Sequence, residues 1–145
     1  MQTVEVSEHY AAPLEVVFDR YTDHVSWTKW AGLGNVELAR EGVPAPNGVG
    51  CVRVIKTAGV GVHEEVISFE RPRRMSYRLI KGPVPMRDHL GEVAFDDEDG
   101  GTRITWRCRF NSTIPGLGSA QRWFIARLFR QALKGLKADL ARASS

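Results

Sequence analysis

The sequence predicts an α+β domain in which a curved, seven-stranded antiparallel sheet wraps around a long C-terminal helix, with two short helices after the first strand. Three observations predict it. One alternating segment opens the chain, a series of alternating segments broken by turn residues fills its middle, and a long helical period closes it.

Residues 2–10 alternate, with Val4, Val6 and Tyr10 set against Glu5, Ser7 and His9, the pattern of a half-buried strand. Ala11-Ala12-Pro13 breaks it. Proline favours the first helical position, so a helix starts there with Leu14, Val17, Phe18 and Tyr21 as its apolar stripe. Thr22-Asp23 supplies N-cap residue types for a second short helix carrying Trp27 and Trp30. From residue 33 the period is two, and strands are predicted at 34–41, 49–57, 61–70, 73–81, 88–96 and 102–111. Pro44-Ala45-Pro46-Asn47-Gly48, the turn between Gly59 and Gly61, Arg71-Pro72-Arg73, Gly82-Pro83-Val84-Pro85 and Asp97-Glu98-Asp99-Gly100-Gly101 punctuate them. Connections this short imply an antiparallel meander. After Pro115-Gly116 the period is helical to about Ala141. Phe124, Ile125, Leu128, Phe129, Ala132, Leu133, Leu136 and Leu140 form one face; Arg122, Arg127, Arg130, Lys134 and Lys137 form the other. At 1.5 Å per residue this helix spans roughly 35 Å.

The 145 residues suit one domain over 1–145, with enough chain to bury a real core. The formal net charge of +3 is too modest to point to nucleic acid, and no such partner is expected. Cys51 and Cys108 have neither CxxC nor framework spacing and read as reduced cysteines of a cytoplasmic protein. No apolar run approaches the ~20 residues of a membrane span, and residues 1–6 lack the basic and apolar regions of a secretory signal. His9, His24, His63 and His89 are scattered without ligand spacing, so no metal is expected. There is no glycine-rich phosphate loop and no GxSxG elbow, and no cofactor is expected.

A sheet with one apolar face must cover it. A strongly bent sheet cannot meet a straight helix along its whole length. The gap fills with large side chains or with a ligand, and such sites are apolar with a few polar groups.

The ordered set of segments resembles the START-like (SRPBCC) superfamily, in particular its bacterial polyketide cyclase/dehydrase and lipid-transport branch, which has the Bet v 1-like, helix-grip fold. The residues carrying the resemblance are Ala12-Pro13-Leu14-Glu15-Val16-Val17-Phe18, Thr22-Asp23, Trp27 and Trp30. They continue through Gly48-Val49-Gly50, Glu64-Glu65-Val66, Phe69-Glu70-Arg71-Pro72-Arg73-Arg74-Met75-Ser76-Tyr77 and Asp99-Gly100-Gly101-Thr102-Arg103-Ile104-Thr105-Trp106 to the last helix. The resemblance implies the fold more than an activity, since one fold hosts carriers, cyclases and receptors. It also places a ligand entrance near a loop such as Gly82 to Arg87.

In 102–111, Ile104, Trp106, Cys108 and Phe110 share one face, making Trp106 and Phe110 cavity walls or ordinary core. In 61–70, His63, Glu65, Ile67 and Phe69 share a face; in 73–81, Met75, Tyr77 and Leu79; in 88–96, His89, Gly91, Val93 and Phe95. If these faces are concave, His63, Glu65, Tyr77 and His89 are the polar groups of the cavity and the candidates for acid–base chemistry. Alternatively Glu65 pairs with an arginine such as Arg53 on a neighbouring strand and His63 sits at the rim, and a one-residue slip or bulge turns the whole face outward. Trp27 and Trp30 stand near the cavity mouth or staple the short helices to the core. Phe124 and Leu128 face the sheet from the last helix. Its basic face would accept a weak contact with an acidic partner, and a solvated face explains the same residues.

These readings lead to a binder of a small hydrophobic molecule, such as a lipid, polyketide or aromatic metabolite, acting as carrier or sensor. The alternatives are a cyclase, aromatase or dehydratase using general acid–base residues, and a protein-interaction domain with a vestigial cavity.

Overall fold

The structure, a computed structural model, describes residues 1–143. The strands are β1 (Gln2–Tyr10), β2 (Asn35–Arg40), β3 (Val52–Thr57), β4 (Val60–Glu70), β5 (Arg74–Lys81), β6 (Met86–Glu98) and β7 (Gly101–Ser112). The helices are α1 (Leu14–Thr22), α2 (Trp27–Trp30) and α3 (Gly118–Ala143). All seven strands form one antiparallel sheet in the order β1-β7-β6-β5-β4-β3-β2. From β2 to β7 sequence neighbours pair, and only β1 is displaced, to the far edge beside β7. The two helices between β1 and β2 make that crossing possible.

Two segments differ from the sequence expectation. Thr22 does not cap a second helix: it ends α1, and its hydroxyl donates to the Phe18 carbonyl at 2.8 Å. Asp23 then leads into a single 3-10 turn, His24–Ser26, with no side-chain cap, which runs straight into α2. The strand expected at 49–57 begins at Val52, because Val49 instead bridges Val43 inside the 41–51 loop. That loop folds back over the 3-10 turn, where the Asn47 carbonyl lies 3.3 Å from His24 Nε2.

The bend of the sheet is set where the ladder skips. Register shifts occur on β4–β5 at His63/Glu64 and Val66/Ser68, and on β6–β7 between Arg87 and Leu90. An extra residue on one strand bends it and reverses which residues face inward beyond that point.

Helix α3, 26 residues and about 39 Å long at 1.5 Å per residue, lies across the concave face. Its C-terminal half is fixed tightly. Ala132, Leu133 and Leu136 are fully buried, Tyr10 donates to the Leu133 carbonyl at 2.8 Å, and Arg20 holds Asp139 through two bonds of 2.8 and 3.1 Å. Gly135 marks the closest approach: a Cβ built there would lie 1.8 Å from the Trp30 carbonyl oxygen. The helix crosses α2 at backbone contact, which no other residue type permits.

An unhindered helical Gly→Ala change stabilises by up to about 1 kcal/mol. Gly135→Ala should do the reverse, costing about 1–3 kcal/mol through overpacking and lowering Tm by about 3–12 °C in a thermal melt. A raised Tm would mean that α3 and α2 are not in contact.

Candidate functional site

Between the N-terminal half of α3 and the sheet lies a cavity of about 430 Å³. The wall is apolar over most of its area, built from Leu33, Ile55, Val62, Leu79, Met86 and Trp106 on the sheet side and Phe124, Ile125, Leu128 and Phe129 from α3. Phe129 stacks on Trp106 at 3.9 Å between ring centroids with planes 10° apart, closing one end. Gly32, Leu33, Gly34, Val60 and Val84 surround the other end, where Phe124 is 54% exposed. The 82–85 loop is anchored there: the Pro85 carbonyl accepts from Thr113 N at 3.0 Å and from Gln121 Nε2 at 3.2 Å.

A buried charge cluster makes the floor. Arg53 on β3 is fully buried, and its guanidinium lies between the faces of Trp27 and Tyr77, 4.3 and 4.4 Å from the ring centroids. Its Nε donates to Glu64 Oε1 at 2.9 Å, and Nη2 sits equally close to that oxygen but without hydrogen-bond alignment. Its Nη1 donates to His24 Nδ1 at 3.2 Å, which leaves the His24 Nε2–H to donate to the Asn47 carbonyl. Burial first and the Arg53 charge second hold the His24 imidazole well below its ordinary pKa, so it is neutral and this tautomer is fixed.

Three further polar side chains reach the cavity. Tyr77 lies across Gly91 on the neighbouring strand; a Cβ at Gly91 would meet its ring at 2.2 Å. In this position the Tyr77 hydroxyl accepts from Trp106 Nε1 at 2.7 Å. His89 accepts the Leu79 backbone N–H on Nδ1 at 3.0 Å, which puts its own proton on Nε2. Cys108 completes the set. Burial raises the Tyr77 hydroxyl well above its ordinary pKa, pushes the Cys108 thiol up to about 12, and lowers the His89 imidazole. Glu64, 12% exposed, lines the cavity beside them and holds the ion pair with Arg53.

Of the residues expected at the site, Trp27, Tyr77, His89, Trp106, Phe124 and Leu128 line the cavity. Trp30 and Phe110 do not. Trp30 packs on Trp27 at 5.5 Å and donates to the Ser26 hydroxyl; Phe110 joins Val4 and Cys108 in a small separate cluster. His63 and Glu65 face the other way. Phe69 does point inward, against Phe18, but the bulge at Val66/Ser68 inverts the phase, so Val66, Glu64 and Val62 are the inward residues before it. Glu65 lies on the convex face between Arg40 at 2.7 Å and Arg78 at 2.9 Å, and those contacts, Arg78 foremost, hold its carboxyl below the usual range. The expected partnership of Arg53 with a glutamate exists, one residue earlier.

Arg53, Glu64 and His24 were not read from the sequence. Val52 and Val54, which flank Arg53, are buried on the outer face. One signal was present in β4: Val60, Val62 and Val66 share the parity of Glu64, not of Glu65.

The profile of the family described as "Polyketide cyclase / dehydrase and lipid transport" matches residues 1–141, and the chain belongs to that family. No curated protein matches it by sequence. The fold recurs in XoxI from Bacillus cereus, 14% identical, with a TM-score of 0.81 over 100% of this chain and 99% of that one. It recurs in a protein from Thermobifida fusca, 21% identical, with a TM-score of 0.81 over 98% and 95%. Ara h 8.0201, 14% identical, gives a TM-score of 0.78 over 97% and 98%. At these identities the likeness concerns the fold, and it is the Bet v 1-like one.

Removing one member of a buried ion pair costs about 3–5 kcal/mol. Arg53→Met should lose that much in denaturant unfolding, because Glu64 is left mostly buried without its partner. Arg53→Met combined with Glu64→Gln should recover about 1–3 kcal/mol relative to the sum of the two single changes; strictly additive costs would mean the two groups do not interact. The neutral state of His24 gives the second expectation. Its folded pKa lies below the unfolded value of 6.5, so under acid conditions the unfolded chain takes up a proton that the folded chain refuses. Stability should be fully present above pH ~6.5 and fall by up to ~1.4 kcal/mol per unit below it. His24→Gln should flatten that limb in urea melts between pH 7.5 and 5; an unchanged slope would place the acid sensitivity elsewhere.

Proposed function

We propose that this protein binds one small hydrophobic molecule, such as a lipid, polyketide or aromatic metabolite, in the cavity between α3 and the sheet, as a carrier or sensor. The observation that carries this reading is the 430 Å³ apolar space that remains after the large side chains of the interior have packed. Trp106, Phe129 and Leu133 pack the deep end, and the space toward the mouth is left over, with no side chain among the described residues filling it. A vestigial cavity is the less favoured reading for that reason.

The energetics suit reversible binding. A ligand that buries about 300 Å² of apolar surface gains roughly 7–8 kcal/mol at ~25 cal/mol per Å². After the cost of association, micromolar to millimolar affinity follows without covalent chemistry. A cyclase, aromatase or dehydratase is the second reading, and Glu64 and His89 on one wall favour it. Against it, the His89 nitrogen that lacks a proton is occupied by the Leu79 N–H, so the imidazole offers the cavity a donor and not a base.

Native mass spectrometry of the purified protein should detect a bound small molecule, and Nile red should bind with a blue-shifted, enhanced emission. Leu128→Trp, which fills the space from α3, should weaken Nile red binding at least tenfold with little change in Tm. Absence of Nile red binding to the unaltered protein, or equal binding to the filled variant, would count decisively against this reading.

A further inference from the structure

We propose that the cavity selects neutral ligands bearing a hydroxyl group and excludes carboxylates, because the buried Arg53–Glu64 pair presents its carboxylate, not its guanidinium, to the bound molecule. This rests on the binding reading above and specifies the chemistry of its ligand.

The orientation of the pair is the deciding observation. Arg53 has no accessible surface. Trp27 covers one face of its guanidinium and Tyr77 the other, and its nitrogens turn toward Glu64 and His24. Even Nη2, which lacks an aligned partner, is out of contact with the cavity. An anionic ligand therefore finds no cation it can reach. What it meets is Glu64, whose second carboxylate oxygen has no protein hydrogen bond among the described residues. A hydroxyl hydrogen satisfies that oxygen. A ligand carboxylate would be brought against a like charge in a space walled by hydrocarbon, where charge repulsion is poorly screened. The same wall supplies the complementary donor: the Nε2–H of His89 has no protein partner among the described residues, and the His89 ring lies 5.6 Å from that of Tyr77, which packs on Arg53. A ligand hydroxyl can donate to this acceptor, and its oxygen can accept from such a donor.

The arrangement also explains why the pair is tolerated on the floor of an apolar cavity. Arg53 and Glu64 cancel at a distance, so an uncharged ligand enters without confronting a net charge. Close to the wall the cancellation fails, and only the carboxylate is felt.

The test uses three ligands of one shape at pH 7.5, competing with Nile red: 4-octylphenol, its methyl ether and 4-octylbenzoate. The phenol should bind at least about tenfold more tightly than the benzoate and severalfold more tightly than the ether. Glu64→Gln should shrink the phenol-to-benzoate ratio by at least threefold. Should that variant prove unfolded, Glu64→Gln with Arg53→Met removes both charges and should shrink the ratio likewise. Benzoate binding as tightly as the phenol to the unaltered protein, with Nile red bound normally, overturns this proposal and leaves the binding reading standing. A phenol no better than its ether overturns the role of the hydroxyl. Failure of Nile red to bind overturns the binding reading, and this proposal with it.

Discussion

The interior depends on one arginine that cannot leave. Arg53 is enclosed by Trp27, Tyr77, Glu64 and His24, which come from α2, β5, β4 and the 3-10 turn. A guanidinium keeps its charge at any ordinary pH, so the protein must solve its burial by contacts and not by deprotonation. Each contact constrains a different element. The carboxylate fixes the register of β3 against β4, the two aromatic faces fix α2 against β5, and His24 with Asn47 ties the 41–51 loop to both. A buried ion pair of this kind is weak evidence for stability. Its contribution is to fix one arrangement of the elements around the cavity floor.

From that floor the aromatic network extends outward by contacts with definite geometry. Tyr77 bonds Trp106, Trp106 meets Tyr21 edge-on at 5.3 Å and stacks on Phe129 of α3. Tyr77 reaches its position because Gly91, directly opposite on β6, leaves room for the ring. The cavity therefore has a stiff floor and deep end. Its mouth is made of different material: turn residues at 32–34, the β3–β4 hairpin, and an α3 segment whose aromatic side chains are half in water. Low local packing is what permits opening at one end while the other stays rigid.

The fold was legible because its signals are repeated and local. Each β-hairpin brings its own turn residues, each strand its alternation, and α3 carries an apolar stripe of more than four turns, so an error at one element leaves the others readable. Strand β3 starts three residues late and Thr22 ends a helix in place of starting one, and neither changes the topology. The site was legible on β5, β6, β7 and the helices, whose inward faces carry Tyr77, His89, Trp106, Trp27, Phe124 and Leu128. In β4 two phases stay open, and the bulge at Val66/Ser68, which periodicity does not reveal, decides between them. Arg53 stands in the sequence as a partner for a glutamate, but nothing in a charged residue between two valines marks it as buried, since charges ordinarily face water. Trp30 and Phe110 illustrate a third limit. The sequence marks them as inward, and both are buried, but which inward residues border empty space depends on how the whole interior packs.

That last point bears on how α3 serves two purposes. A helix docked along its whole length on a flat sheet would leave no cavity, and a helix docked nowhere would leave no fold. Here the bend of the sheet separates the two demands along one helix. Past Phe129 the apolar stripe is consumed by packing: Ala132, Leu133 and Leu136 lose all their exposure, and Gly135 brings the backbone against Trp30. Before it, Phe124, Ile125 and Leu128 face a space that the sheet curves away from. The same hydrophobic pattern, read through a changing distance to the sheet, becomes core at one end and ligand wall at the other. Stability and binding are then drawn from different turns of α3, so its N-terminal half can vary in side-chain size to suit a ligand while the C-terminal half keeps the helix in place.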